Sequence, residues 1–362
     1  MRRAKIVCTI GPATANYGAI RGMAELGMDV ARLNFSHGSH DEHLRTIKAV
    51  RRASSSLGKR IAILQDLPGP KIRIGMLADE SVTIAAGSRL TIRAGMRESS
   101  IPSVIPVPYE GLPLCVGKGS RIFLADGSIR LRVVGKRGSA ILCRAENGGE
   151  LKSRKGVNVP DSTNGIPAIT EEDERHMEFG ARHGVDYVAV SFVRSAKDVA
   201  LAKGKLAGLQ SSARVIAKIE KKEGFINRAD VIRAADAVMV ARGDLGVEMG
   251  PYEVPPAQKT IIAEANRQGR PSITATQMLL SMVHSRTPTR AEVSDVANAI
   301  LDGTSAVMLS EETASGQNYR EAVSVLDAVA RRMEADSLYR NRGKRAAWRL
   351  PTRPPRSGWA TL

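Results

Sequence analysis

Arg214-Val-Ile-Ala-Lys-Ile-Glu220 and Ala237-Val-Met-Val-Ala-Arg-Gly-Asp244 are two apolar, β-branched runs that each stop at charged residues, and Asp244 follows Glu220 by 24 positions. Runs that are apolar throughout, without alternation, mark strands buried on both faces, which belong to parallel sheets covered by helices. The charges that end them therefore lie at the carboxyl edge of the sheet, where parallel α/β folds bind ligands. A single acid at a strand end is usually a solvated charge. Two in consecutive βα units, with Lys218 two residues before one and Gly243 freeing the backbone beside the other, suit a divalent cation and a phosphorylated substrate.

Working outward, similar runs occur at Lys5–Ile10, Val30–Asn34, Ile61–Asp66, Tyr187–Ser191, Val215–Ile219, Ala237–Ala241, Ser272–Ala275 and Ala306–Leu309. Helical patterns fall between them, at Asp41–Ser56, Thr170–His183, Pro255–Gln268 and Thr289–Asp302. Thr170-Glu-Glu-Asp173 has the form of an N-cap with acids in the first turn. Eight such strands with intervening helices predict an α/β protein, a (β/α)8 TIM barrel. One interruption follows the third strand. From residue 70 to residue 166 the pattern turns to short β-rich pieces, Ser81–Ile84, Arg89–Arg93, Arg121–Leu124, Ile129–Val133 and Ala140–Cys143, at roughly ten-residue spacing. This predicts a small all-β domain inserted after the third strand, placed to act as a lid that excludes water. Pro68-Gly69-Pro70 and Gly165-Ile166-Pro167 read as its hinges. The expected division is residues 1–69 and 167–335 for the barrel, 70–166 for the lid and 336–362 for a basic, disordered tail.

Composition narrows the function classes. The 362 residues are 43% hydrophobic with no apolar run long enough to span a bilayer, and the three cysteines show no paired spacing. No membrane association, disulfide framework or zinc site is indicated, and the cytoplasm is the expected location. A net charge of +17 attracts polyanions, yet aromatics are only 4% and show no stacking pattern, so no specific nucleic-acid partner is expected. Part of the charge is local, since residues 340–362 carry seven Lys/Arg and no acid.

Seven stretches, in order, resemble the pyruvate kinase family: Ile6-Val-Cys-Thr-Ile-Gly-Pro-Ala-Thr14, Ala31-Arg-Leu-Asn-Phe-Ser-His-Gly38, Gln65-Asp-Leu-Pro-Gly-Pro-Lys-Ile-Arg73, Lys218-Ile-Glu220, Ala241-Arg-Gly-Asp-Leu-Gly246, Ala275-Thr-Gln-Met-Leu279 and Leu309-Ser-Glu-Glu-Thr313. The resemblance covers about residues 4 to 335. It implies a barrel with an inserted β domain, and Mg²⁺-dependent (or Mn²⁺-dependent) phosphoryl transfer from phosphoenolpyruvate to ADP, giving pyruvate and ATP as the last step of glycolysis. It assigns Glu220 and Asp244 to Mg²⁺, and Lys218 to stabilising the migrating phosphoryl group. Arg32 is assigned to phosphate oxygens, for which its forked guanidinium is suited. Gly243, Asp244, Thr276 and Ser310 fall in the substrate site, with Gly243 and Asp244 beginning a turn whose N–H groups meet the substrate carboxylate. Thr276 is placed near the carbon that takes a proton. Arg73 and Lys155, at the two roots of the inserted domain, match ligands of the nucleotide phosphates, and His37 a residue beside the nucleotide.

Two departures from the family pattern carry expectations. The resemblance implies a K⁺ site at Asn34, Ser36, Asp66 and the Leu67 carbonyl, but the family's usual glutamate is replaced by Lys71, whose ammonium does the cation's electrostatic work; weak or absent K⁺ dependence is expected. Family members continue past the helix near Glu321–Arg332 into a carboxyl-terminal domain with an effector site and part of the subunit interface. The expectation is a homo-oligomer lacking part of that interface, without that effector control, and open to being catalytically impaired. Two other readings fit parts of the pattern. A Mg-dependent enolate-forming lyase or aldolase needs neither Arg73 nor Lys155 nor a lid. A basic nucleic-acid-binding derivative needs none of Lys218, Glu220 and Asp244.

Overall fold

A computed structural model describes residues 2–160 and 167–336. The expected hinge residues Gly165 and Ile166 and nearly all of the basic tail lie outside the described residues. Eight strands close into one parallel barrel, and in chain order they are Lys5–Ile10, Val30–Asn34, Ala62–Asp66, Tyr187–Val190, Arg214–Ile219, Ala237–Ala241, Ser272–Ala275 and Ala306–Leu309. Each strand pairs with its sequence neighbour among the eight, and Lys5–Ile10 closes the ring against Ala306–Leu309. The interior is a packed core of Val7, Leu64, Ala189, Ile216, Met239, Ile273 and Met308. A larger shell of buried aliphatic residues lies between the strands and the helices outside them. Being covered on both faces is the physical reason the strands read as continuous apolar runs.

Helix starts follow the capping chemistry. Ser39, Thr170 and Thr289 each form a reciprocal capping box with the residue three positions on, Glu42, Asp173 and Glu292 respectively. Asp173 does a second task, accepting the N–H of Gly69 at 3.0 Å, which ties the end of the Pro68-Gly69-Pro70 segment to the helix Glu171–Arg182. Gly69 has φ +65, and a Cβ there would sit 2.8 Å from that of Ser191, so only glycine fits.

Between the third and fourth barrel strands lie a six-stranded sheet and two two-stranded sheets. The larger sheet runs in the order Val157–Asn158, Arg121–Leu124, Ile129–Arg137, Ala140–Ala145, Arg89–Ala94, Val104–Val107. It has its own core, built on Ile92, Ile105, Ile122, Leu124, Leu131 and Ile141, separate from those of the barrel. The hairpin turn at Gly127 reaches Val247, with a Cβ at Gly127 falling 3.5 Å from Val247 Cγ1. The inserted β unit thus touches the helix Arg242–Met249, which begins at the end of the sixth barrel strand. Among the described residues no helix is long and apolar enough to cross a membrane, and all three cysteines are free and buried.

Candidate active site

Lys218, in the fifth strand, is only 8% exposed, and its ammonium has a full set of oxygen partners. Nζ donates to Ser191 Oγ at 2.7 Å and pairs with Asp66 Oδ1 and Glu220 Oε1, both at 3.0 Å. Three successive strands supply these partners, since Asp66 ends the third, Ser191 follows the fourth and Glu220 follows the fifth. Asp66 also receives Arg32 Nε at 2.7 Å from the second strand. Arg32 Nη1 donates to Thr9 Oγ1 at 3.0 Å, leaving Nη2 without a hydrogen bond among the described residues. Two cations and two carboxylates from adjacent strands are thereby gathered at one rim of the barrel.

Burial and charge pull against each other here. Burial alone pulls the Lys218 ammonium down, but Asp66 and Glu220 outweigh it and hold the lysine well above its ordinary value, so it stays charged. Burial pushes Asp66 up, and Lys218 and Arg32 more than reverse this, keeping it an anion below the ordinary carboxylate range. Glu220 differs. Burial raises it, the charge of Asp244 adds to the rise, and Lys218 offsets this only in part, so its carboxyl is pushed up to about 7. Its second oxygen accepts the N–H of Phe192 at 2.7 Å.

Asp244 lies in the first turn of the helix Arg242–Met249. The expected turn at Gly243-Asp244 is thus a helix start, whose first N–H groups lack intrahelical acceptors and favour an anion. Gly243 and Gly246, poor helix formers, hid this from the sequence. A Cβ on Gly243 would sit 3.1 Å from Thr276 Cγ2, so the glycine lets the helix start approach the end of the seventh strand. Thr276 and Gln277 both hold left-handed backbones, φ +77 and +56. Such conformations in non-glycine residues are costly and need external restraint. Arg242 supplies it, donating to the carbonyls of Ala275, Thr276 and Gln277 at 3.2, 2.6 and 3.2 Å, while Nη1 grips both oxygens of Asp295 at 2.8 and 2.7 Å. Arg242 stands inside a quoted motif, yet nothing in the sequence showed that it holds the Thr276 segment.

The donor set suits Mg²⁺. The Asp244 carboxylate makes no hydrogen bond or ion pair among the described residues. Beside it, burial first and the Asp244 charge after it push the Glu220 carboxyl up to about 7. Two hard oxygen donors with a surplus of negative charge, open to one side, match an ion that keeps most of its coordination sphere for water and substrate.

The remaining expected residues do not all come together. Asn34 and Asp66 are in direct register on neighbouring strands, with Ser36 and Leu67 just beyond. Their oxygens are partly engaged already, since Asn34 Oδ1 accepts the Ser36 N–H at 3.2 Å and the Leu67 carbonyl accepts Ser191 Oγ at 2.7 Å. Lys71 is exposed in a cleft shared with Val157, Asn158, Phe192 and Lys221, and makes no hydrogen bond or ion pair with Asn34, Ser36 or Asp66. The cations that do reach Asp66 are Arg32 and Lys218. Arg73 and Lys155 are brought together, because Arg73 bridges Gly156 across the base of the inserted unit and Ile74 N–H donates to the Lys155 carbonyl; both side chains are exposed. His37 is exposed after the second strand, its carbonyl 3.0 Å from His43 Nε2. Ser310 follows the eighth strand, with its N–H on Glu312 at 2.7 Å.

Comparison with known proteins shows the family. The pyruvate kinase barrel-domain family matches residues 1–323. The chain is 46% identical to the pyruvate kinase of Thermococcus litoralis over 332 residues, 92% of this chain and 70% of that protein. It is 48% identical to the pyruvate kinase of Geobacillus stearothermophilus over 337 residues, 92% of this chain and 57% of that protein. With pyruvate kinase 2 of a Synechocystis species the identity is 45% over 354 residues, 97% of this chain and 60% of the relative. The chain therefore spans between 57% and 70% of the length of these relatives. A closed parallel barrel with charged strand ends at one rim, matched along most of the chain by these relatives, makes the protein a member of the pyruvate kinase family.

Proposed function

We propose that the chain transfers the phosphoryl group of phosphoenolpyruvate to ADP, forming pyruvate and ATP, with Mg²⁺ held by Glu220 and Asp244. The observation that carries this reading is the buried Lys218, kept cationic between Asp66 and Glu220 at the rim where Arg32, Gly243 and Thr276 also lie. Such transfer needs positioning and charge neutralisation more than covalent chemistry. A β-phosphate oxygen of ADP bonds to phosphorus as the bond to the enol oxygen breaks. The electron pair stays on that oxygen, and the enolate carbon then takes a proton. Lys218 and Arg32 Nη2 face the phosphoryl oxygens, and the N–H groups of the helix start at Gly243 and Asp244 bind the carboxylate. Thr276 and Ser310 border the enolate, and Thr276 orients the proton donor. Bound Mg²⁺ supplies further neutralisation of the substrate's oxygens. Arg73 and Lys155, with His37 nearby, hold the nucleotide phosphates when the inserted domain, residues 70–166, closes over the rim. Lys71, which makes no hydrogen bond or ion pair with Asn34, Ser36 or Asp66 in the resting protein, takes the place of K⁺ when the inserted domain closes, and turnover is then largely independent of K⁺. These substrates and products are those of cytoplasmic glycolysis.

The test is a reaction with phosphoenolpyruvate, Mg²⁺ and ADP in which ATP and pyruvate are both quantified. Equal amounts of the two, and no pyruvate when ADP is omitted, are expected. Pyruvate and inorganic phosphate released in equal amounts without ADP would mean that water, not ADP, takes the phosphoryl group, and would overturn the kinase assignment.

A further inference from the structure

Lys221 and Glu248 form a buried ion pair that joins the two segments bearing the proposed metal carboxylates. Lys221 directly follows Glu220, and Glu248 lies four residues after Asp244 on the same helix, one turn along and on the same face. Lys221 Nζ is 3.2 Å from Glu248 Oε1, and the two side chains are 14% and 2% exposed. Backbone pairing between the fifth and sixth strands ends at Ile219 and Val240, so beyond that point the ladder no longer fixes the spacing of Glu220 and Asp244. The ion pair spans this unpaired interval. It also does electrostatic work. Burial pushes the Glu248 carboxyl up and the nearby Asp244 adds to that, while Lys221 pulls it back. In turn Glu248 holds an ammonium that would otherwise be free to turn toward Glu220 and Asp244.

We infer that the Lys221–Glu248 pair positions the metal site, fixing the approach of Asp244 to Glu220 and keeping the Lys221 ammonium out of the space a divalent cation takes. The inference rests on the Glu220–Asp244 reading above. Neither residue is among the proposed ligands of substrate or metal, so both are positioning residues.

The pair makes a signed prediction. In Glu248→Gln the clamp is lost and the half-buried Lys221 ammonium, left without its anion, is released beside the segment that carries Glu220. Divalent affinity should fall at least tenfold. In the double variant Lys221→Met, Glu248→Gln the competing cation is gone, and at least a third of the lost affinity (on a logarithmic scale) should return. Mn²⁺ binding to the protein without substrates, read from the free-ion electron paramagnetic resonance signal at pH 8, measures this directly, and thermal melting alongside reports the fold. Replacing both members of a buried pair is tolerated far better than removing one, so the double variant keeps the test open if the single variant is unstable. A Glu248→Gln affinity within twofold of wild type, or a double variant binding no better than the single one, overturns the inference. Glu220→Gln is the control. If wild type binds Mn²⁺ and Glu220→Gln binds it equally well, the metal assignment itself fails, whatever the Glu248 variants do.

Discussion

Replacing Lys218 by methionine keeps the length of the side chain and removes its charge, and the structure gives two separate consequences. In the resting protein, Asp66 and Glu220 lose an ammonium 3.0 Å from each, and Ser191 loses the donor at 2.7 Å. Removing one member of a buried pair costs about 3–5 kcal/mol. Arg32 still holds Asp66 at 2.7 Å, which sets the expectation at the lower end. The loss should shrink as pH falls, because Glu220, with its carboxyl already pushed up to about 7, takes a proton more readily once Lys218 is gone. In the reaction, loss of a cation placed on the transferring phosphoryl should lower turnover on the order of 10³-fold, about 4 kcal/mol. An interaction made mainly in the transition state lowers kcat while leaving the KM for phosphoenolpyruvate nearly unchanged. The assay couples pyruvate formation to its reduction, run below the variant's melting temperature. A fall in kcat under about tenfold, roughly 1.4 kcal/mol, would refute the role given to Lys218.

Three further outcomes follow from other parts of the rim. Arg242→Gln should release Thr276 and Gln277 from their left-handed backbones and slow the exchange of pyruvate methyl protons with solvent by about 10- to 100-fold, roughly 1.4–2.7 kcal/mol; exchange at the wild-type rate would show that this restraint does not serve Thr276. Because Glu220 is raised to about 7, metal binding should displace its proton when pH is below that value and not above it. Calorimetry of Mn²⁺ binding in buffers of different ionisation enthalpy should find more proton released at pH 6 than at pH 8, and equal release at both would contradict the shift. In tetramethylammonium buffer free of K⁺ and Na⁺, turnover should stay within about threefold of that with K⁺; activity recovered only on adding K⁺ would remove the role proposed for Lys71.

The parts of the fold that were legible share one property: the signal was local. Most barrel strands are buried on both faces and read as short apolar runs bounded by polar residues, while Val30–Asn34 alternates buried and half-buried positions. Observed bounds differ from the expected ones by one residue at most, as at Arg214–Ile219. Glu220 and Asp244 stood out because a charge ending such a run has only one rim to occupy. What stayed hidden depends on closure of the ring. Asp66, Ser191 and Lys218 are far apart in sequence, and only three adjacent strands bring their side chains within 3.0 Å. The Lys221–Glu248 and Arg242–Asp295 pairs are hidden for the same reason. In the inserted unit the short β runs were readable but their order was not. The strand Val104–Val107 pairs in parallel with Arg89–Ala94, and Pro106 within it masks the strand pattern.

The most direct measurement is an anomalous-scattering map from crystals of the protein grown with Mn²⁺ in place of Mg²⁺. The account predicts one strong peak at the barrel rim, about 2.0–2.3 Å from a carboxylate oxygen of both Glu220 and Asp244, with the Lys218 ammonium beside it. A peak touching only one of these carboxylates, or lying elsewhere, would contradict it.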